Sequence, residues 1–321
     1  MAAAVSENST NVRITKRAPA APLALRAARA GFRVIGPYAP SLASSYAERL
    51  FLTARRHPRP EWEEQALASA EEQFTIPHDG KLLPAWRWGD AKKGTPTVLL
   101  VHGWEGRGSQ MAAFVEPLVK RGFSVVLFDV PGHGDAPAGP SSLVEHARAV
   151  MSVGAHLGPL HAVIAHSVGG AASLFATRLG FTAGRLALIA PPTSPERFAA
   201  GFGKMFGLGD EVLRGMVARL ERRYGLSMAE LVAIPYAQRF DNPVLVVHDA
   251  DDRVVEHAAG AAIAEAAPHG RLVTTHGLGH SRVLRAPEVI DAVVPFVAEG
   301  AQTTGLEETL AIELFDREQR W

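Results

Sequence analysis

Three short stretches carry residue types able to move a proton onto and off a hydroxyl. Ala165-His166-Ser167-Val168-Gly169-Gly170 places a serine between an apolar, strand-like run and an alanine-rich, helix-like one. Small residues two positions to either side of Ser167 let a strand and a helix nearly touch. The stretch therefore reads as a nucleophile elbow, with the hydroxyl raised above a sheet edge and unpaired helix N–H groups behind it. The first small slot holds Ala165 where glycine is usual, which keeps close packing and gives up glycine's freedom in φ. A serine hydroxyl is nearly inert at neutral pH. It needs a base, normally histidine, and the base needs an acid that fixes its tautomer. Both types occur downstream: Asp249, Asp251 and Asp252 in His248-Asp249-Ala250-Asp251-Asp252-Arg253-Val254-Val255, and His276 and His280 in His276-Gly277-Leu278-Gly279-His280-Ser281. The chemistry on offer is acyl transfer, and the chain order Ser, Asp, His is the one that accompanies such an elbow.

Positioning these groups takes a sheet. Apolar runs at Thr97 to Val101, Ser124 to Phe128, Ala162 to Ala165, Leu186 to Ala190, Val244 to Val247 and Leu272 to Thr275 lack polar alternation, as strands buried on both faces do. Helix-like segments near 109–120, 142–157, 168–179, 255–266 and 287–298 separate them, the alternation of an open, mostly parallel α/β sheet. Two further strands, Gln73 to Pro77 and Leu82 to Trp88, flank the hairpin signal Asp79-Gly80. Ligands in such sheets bind beyond the carboxyl ends of the strands, where all the chemically loaded loops fall. The loop His102 to Gly108 can turn a backbone N–H towards the serine; as a phosphate loop it lacks the Gly-Lys-Ser/Thr ending. His133, in Asp129-Val130-Pro131-Gly132-His133-Gly134, is read as a packed histidine that holds its loop. His276 and His280 stand four apart like a metal pair, but Gly277 and Gly279 oppose a regular helix there. Gly201, Gly203 and Gly207 follow no strand and are not read as a dinucleotide loop.

Taken together, these loops resemble the α/β-hydrolase superfamily, in the branch of single-domain serine esterases and related acyl hydrolases, over about residues 72–300. The resemblance implies a mostly parallel central sheet flanked by helices. It also implies Ser167 as nucleophile, His280 as general base and, on the pattern H-G/D-x-x-D-x-x-V set on His248, Asp249, Asp252 and Val255, Asp252 as acid. Asp251 is the second choice for the acid. The backbone N–H groups of Trp104 and Val168 are the implied oxyanion donors. With a histidine base, whose ordinary pKa is about 6.5, turnover is expected to fall on the acid side of neutrality.

Residues 193–241 are too long for a simple crossover and read as a small helical cap inserted after the sixth strand. Phe198, Phe202, Met205, Phe206 and Leu208 in the cap are candidates for the substrate pocket, with burial of the cap as the alternative. Residues 1–71 read as a frayed tail and a helical extension. In that extension Phe32, Val34 and Ile35, then Leu42, Tyr46, Leu50 and Phe51, form apolar stripes broken between Pro37 and Pro40, for packing on the main domain rather than lying on a membrane. Residues 301–321 are a mainly polar appendage with an amphipathic piece, Leu310 to Phe315.

Composition narrows the rest. The 321 residues suffice for a sizeable core, and equal counts of 33 basic and 33 acidic residues give no electrostatic reason for a nucleic-acid partner or a polyanionic substrate. With no cysteine there is no disulfide, thiol nucleophile or Cys-based metal site. No cofactor or metal is expected. Arginines and Lys16 interrupt the alanine-rich N-terminus and nowhere do ~18 apolar residues run together, so a cytoplasmic protein without a transmembrane segment is expected. The expected substrate is a small or medium acyl ester. Thioester, lactone and carbon–carbon bond hydrolysis can use the same residues, and a small-molecule receptor on a hydrolase scaffold is the rival of another class; oligomeric state is not legible.

Overall fold

Runs of Val, Leu and Ile become strands covered on both faces in the computed structural model, which describes residues 23–90 and 94–301. The extended tail and the appendage of the sequence reading, including Leu310 to Phe315, lie outside the described residues. Helices α1 (Leu23–Ile35), α2 (Pro40–Phe51) and α3 (Glu61–Ala68) precede the hairpin β1 (Glu72–His78) and β2 (Lys81–Trp88). Asp79 and Gly80 take φ of 45° and 72°, the two left-handed residues of a tight hairpin turn. There follow β3 (Thr97–Val101), α4 (Val115–Val119), β4 (Ser124–Phe128), α5 (Leu143–Leu157), β5 (Leu160–His166), α6 (Val168–Arg178) and β6 (Leu186–Ile189). A 3-10 turn over Gly108–Phe114 takes up the first half of the helix expected near 109–120, before β4.

The eight strands form one sheet in the order β1-β2-β4-β3-β5-β6, continued by β7 (Val244–Asp249) and β8 (Gly270–Thr275). β1, β2 and β4 pair antiparallel and all other neighbours pair parallel. Strands β4, β6 and β7 are wholly buried, whereas the edge strand β8 turns Arg271, Leu272 and Thr274 outward. Two apolar layers result, one on each face of the sheet: α10 (His257–Ala266) packs into the first, and α12 (Pro287–Ala298), reached through α11 (Gly279–Arg282), closes the second on the chain's return. No helix among the described residues is long and apolar enough to cross a membrane.

Between β6 and β7 lie α7 (Pro195–Phe206), α8 (Asp210–Tyr224) and α9 (Ile234–Ala237), the expected helical insertion. The N-terminal helices pack on it: Ser44 Oγ reaches the Val212 carbonyl at 3.0 Å, and a Cβ at Gly215 would sit 2.3 Å from that hydroxyl, so α2 and α8 touch at small residues. The buried faces of α1 and α2 are Phe32, Ala43 and Ala47 with Leu50 and Phe51 beside them; Val34, Ile35, Leu42 and Tyr46 of the predicted stripes are exposed. On α2 the inward arc holds Ala43, Ser44 and Ala47, small residues that allow the close α2–α8 approach.

Candidate active site

The strand β5 ends at His166 and α6 starts at Val168, so the whole reversal falls on Ser167, with φ 51° and ψ −125°. That backbone conformation costs an L-residue roughly 1–3 kcal/mol. It is held by the Ser167 N–H on the Ile189 carbonyl at 2.8 Å and by Gly170 N–H on the Ser167 carbonyl at 2.9 Å. Close packing of α6 on β3 fixes the rest: a Cβ at Gly169 would lie 2.5 Å from the His102 carbonyl oxygen.

Ser167 Oγ lies 3.0 Å from His280 Nε2, and His280 Nδ1 lies 2.7 Å from Asp252 Oδ2. A carboxylate oxygen only accepts, so Nδ1 carries the proton and Nε2 is left to accept the serine hydroxyl's. The structure thus brings together the three predicted residues Ser167, Asp252 and His280, from loops following three different strands. Asp252 Oδ1 accepts the amides of Val254 at 2.8 Å and Val255 at 3.0 Å. Burial alone would raise this carboxyl, but the imidazoles of His248 and His280 and these two amides hold it far below the usual carboxylate range. These contacts favour its anionic form. Asp251, the second choice, instead accepts the Gly277 amide at 2.9 Å on Oδ2.

Trp104 and Val168 flank the serine. Gly103 passes so close that a Cβ there would lie 3.0 Å from Ser167 Cβ, which brings the turn at Trp104 beside the first turn of α6. Neither the Trp104 nor the Val168 backbone N–H has an acceptor among the described residues. Two free donors beside a serine hydroxyl are an arrangement able to receive negative charge on an oxygen. The loop that carries Trp104 is fixed from below by His102, whose Nδ1–H donates to the Gly103 carbonyl at 2.8 Å while Nε2 accepts the Val130 amide at 3.0 Å. It is fixed from the side by Arg55, which forks onto Glu105 at 2.8 and 2.9 Å and so holds that residue at φ 54°. Arg107 forms a buried pair with Glu63 and donates to the His57 and Pro58 carbonyls, tying the loop's end to the N-terminal segment.

Of the supporting residues, His166 had no separate signal in the sequence, whereas His133 was read there as a packed histidine that holds its loop. His166 donates Nε2–H to the His280 carbonyl at 2.9 Å, and burial pushes its pKa down to about 3, so it stays a neutral strut. Asp249 accepts amides from Asp251, Leu278 and Gly279 and the Thr275 hydroxyl, gripping the loop on which His280 stands. Its unusual place in the pattern around His248 was the only pointer to it. His133 is buried against the rings of His102, His146 and Trp104, with centroids 5.1, 5.2 and 5.4 Å away, and donates to the Pro131 carbonyl. It lies behind the loop 102–108, away from the Ser167–His280–Asp252 chain.

The pocket candidates are dispersed. Phe202 packs edge-on to Phe51 at 5.2 Å and against Phe206 at 4.5 Å, and Phe206 meets Phe32 at 6.3 Å. These two rings join the cap to α1 and α2, while Phe198 and Met205 stand partly open to solvent. Among the described residues, one group of metal-ligand type lies within mutual reach, His78, Asp79 and Glu145, and it includes none of the residues above. His280 is committed to Asp252 and Ser167, and His276 is not grouped with it.

Comparison with known proteins places this geometry in a family. Pimeloyl-(acyl-carrier protein) methyl ester esterase from Aromatoleum aromaticum is 27% identical over 251 residues, 64% of this chain and 99% of that protein. An esterase from Pyrococcus furiosus superposes with a TM-score of 0.58 at 17% identity, over 76% of this chain and 98% of its own. The thioesterase domain from the curacin biosynthetic pathway does so at 0.52 and 15%, over 70% and 98%. At such identities the two structures speak for the fold. The profile of the alpha/beta hydrolase family matches residues 98–292, a span that takes in the elbow and the loops of Asp252 and His280, and the chain belongs to that family.

Proposed function

We propose that this protein hydrolyses carboxylic esters of small or medium acyl groups, with Ser167 as nucleophile, His280 as general base and acid, and Asp252 as the anion that orients the imidazole. The observation that carries this reading is the hydrogen-bonded series from Ser167 Oγ through both nitrogens of His280 to Asp252 Oδ2, at 3.0 and 2.7 Å. As His280 Nε2 takes the hydroxyl proton, Oγ bonds to the ester carbonyl carbon and the carbonyl electrons move to oxygen, where the Trp104 and Val168 amides receive the charge. Each such donor is worth about 3 kcal/mol of transition-state stabilisation. His280 returns the proton to the departing alcohol, and a water deprotonated by the same nitrogen then frees the acid from Ser167. The imidazolium formed in both steps lies against Asp252, already an anion, so no proton need pass further.

The relative from Aromatoleum is named for a methyl ester on a carrier-protein-borne acyl chain. Methyl esters therefore belong beside p-nitrophenyl esters in a chain-length series. The test is fluorophosphonate labelling together with that series, run on wild type and Ser167→Ala. The reading expects labelling and turnover in wild type and neither in the variant. A wild type that does not label, or labelling that survives Ser167→Ala, would sink it in favour of a receptor on a hydrolase scaffold.

A further inference from the structure

Away from the serine, a cavity of about 700 Å³ opens between α2, α8 and the loop 132–140. None of Ser167, Asp252 and His280 lines it. Its charged lining is Arg49, Arg56, Arg219 and Arg223 against one carboxylate, Glu48, an excess of three positive charges in a chain whose net charge is zero. The size falls in the range of small-ligand sites, about 300–1,000 Å³.

The four guanidinium groups are held differently. Glu48 is buried and takes Arg219 Nε at 2.6 Å on one oxygen and Arg223 Nε at 2.7 Å on the other; burial alone would raise its pKa, but the two arginines hold it below the usual range. Arg219 is braced further by the Ser45 hydroxyl at 3.1 Å. Arg56 donates to the carbonyls of Gly132 and Ala136, which aims it from the α2 side across to the loop. The Arg49 guanidinium has no hydrogen-bond or ion-pair partner among the described residues. Lys81 Nζ adds a further cation behind the wall, on the Ala138 carbonyl at 3.1 Å. Fixed cations that carbonyls and a single carboxylate leave in excess, around a space of ligand size, call for an anion with more than one charge. Guanidinium forks match phosphate oxygens in geometry, and a phosphomonoester supplies two charges on one group where a monocarboxylate supplies one.

We propose that this cavity binds a small phosphorylated ligand, its phosphate received by Arg49 and Arg56 with the Glu48-braced pair Arg219 and Arg223 as the rigid opposite wall. The site is separate from the hydrolytic reading and does not depend on it.

The test is calorimetric titration and thermal shift of the full chain with glycerol 3-phosphate, with sodium chloride matched for ionic strength and glutarate as the carboxylate control. Arg49→Glu is the site variant and Arg26→Glu, an exposed arginine on α1 outside the cavity, the charge control. The expected result is saturable binding of glycerol 3-phosphate, weakened about tenfold or more in Arg49→Glu by loss of a charge-assisted hydrogen bond and by repulsion, and little altered in Arg26→Glu. The melting temperature of each unliganded variant shows that it folds. No saturable binding, equal weakening by both variants, or equal binding of glutarate would overturn the proposal. So would binding of phosphatidic acid vesicles without any response to glycerol 3-phosphate, which would make the ligand a lipid surface.

Discussion

Asp249 Oδ1 accepts the backbone N–H of Gly279 at 2.9 Å, one residue before His280. Its second oxygen takes the Leu278 amide at 3.0 Å and the Thr275 hydroxyl at 2.9 Å, so a single buried carboxylate sets the height of the loop that presents the imidazole. Burial alone would raise this carboxyl; the converging donors keep it below its ordinary value and ionised. An asparagine has one accepting oxygen and would turn an NH2 group on the remaining donors. Asp249→Asn is expected to lower stability by about 2–3 kcal/mol and kcat about tenfold or more, with KM little changed because Asp249 does not touch substrate. Denaturant melts and steady-state kinetics on one p-nitrophenyl ester check both, and an unchanged kcat would remove the positioning role.

The first and second choices for the acid, Asp252 and Asp251, make opposite predictions. Asp252 supplies the acceptor that fixes the His280 tautomer, so Asp252→Asn should cut kcat by roughly ten-thousand-fold, as loss of the orienting acid does in serine hydrolases. Asp251 meets only the Gly277 amide at an exposed position, and Asp251→Asn should cost less than about threefold, the scale of one exposed hydrogen bond. If the ranks were reversed, the acid would have to be reassigned to Asp251.

What the sequence disclosed and what it withheld divide along physical lines. Doubly buried strands such as Ser124–Phe128 and Val244–Val247 announce themselves because burial on both faces leaves no room for polar alternation. The Asp79-Gly80 hairpin was equally plain, since few residue pairs accept two left-handed conformations in succession. The loops with Ser167, Asp252 and His280 followed from strand ends alone. Contacts between residues far apart in the chain had no such trace. Nothing local about Arg55 says that it meets Glu105, nor does His166 advertise a bond to a carbonyl 114 residues away. The four aromatic and methionine cap residues were visible as an apolar cluster, but which surface they face depended on contacts of Phe202 with Phe51 and of Phe206 with Phe32, residues far away in the chain.

Acid should destabilise the fold from just below neutrality. Burial, the largest cause at each, pushes His133 down to about 4, His146 and His166 to about 3, and His102 well below its ordinary value. Unfolded, each takes up its proton near pH 6.5, so below that pH the unfolded state holds more protons and stability falls as pH falls. Each histidine contributes up to about 1.4 kcal/mol per pH unit until its folded pKa is reached. Asp129 opposes this: burial pushes its carboxyl up to about 6, so between its ordinary value near 3.9 and 6 it favours the folded state as pH falls. One acid against four histidines leaves the net slope downward. Urea midpoints should drop from pH 7 to pH 5, and His146→Phe should make that slope shallower whatever it does to the plateau. A midpoint independent of pH over this range would mean that these rings are protonated in the folded state.

The N-terminal extension should matter to turnover through one exposed ion pair. Arg55 is largely solvent-exposed, so its fork on Glu105 is worth under about 1 kcal/mol of stability. Glu105 nevertheless follows Trp104 directly and sits at a positive φ, so releasing it loosens the turn that carries a proposed oxyanion donor. Arg55→Ala should leave the melting temperature nearly unchanged and lower kcat several-fold. Removal of residues 1–60 is a harsher change, because Phe32, Ala43, Ala47 and Leu52 belong to the core shared with the cap. That truncation should abolish a cooperative melt; a truncated chain that melts and turns over normally would show that the extension is dispensable.

Glycine matters on only one side of the elbow. Ala165 lies fully buried in β5, paired with Val101 on one side and Leu188 on the other, at a negative φ that any residue adopts. The freedom glycine would bring there has no use, and Ala165→Gly should lose about 1 kcal/mol of stability with kcat retained. At Gly169 the φ is equally ordinary but the space is not: a Cβ would meet the His102 carbonyl at 2.5 Å and the Val101 carbonyl at 3.0 Å, both backbone. Gly169→Ala must therefore push α6 away from β3 or displace the loop that begins at His102. The cost should be about 1–3 kcal/mol of overpacking. Because the atoms displaced lead into Trp104 and Val168, kcat should fall even in protein that remains folded. If Gly169→Ala kept full turnover while Ala165→Gly lost it, the close approach of helix and strand would not be what aligns Ser167.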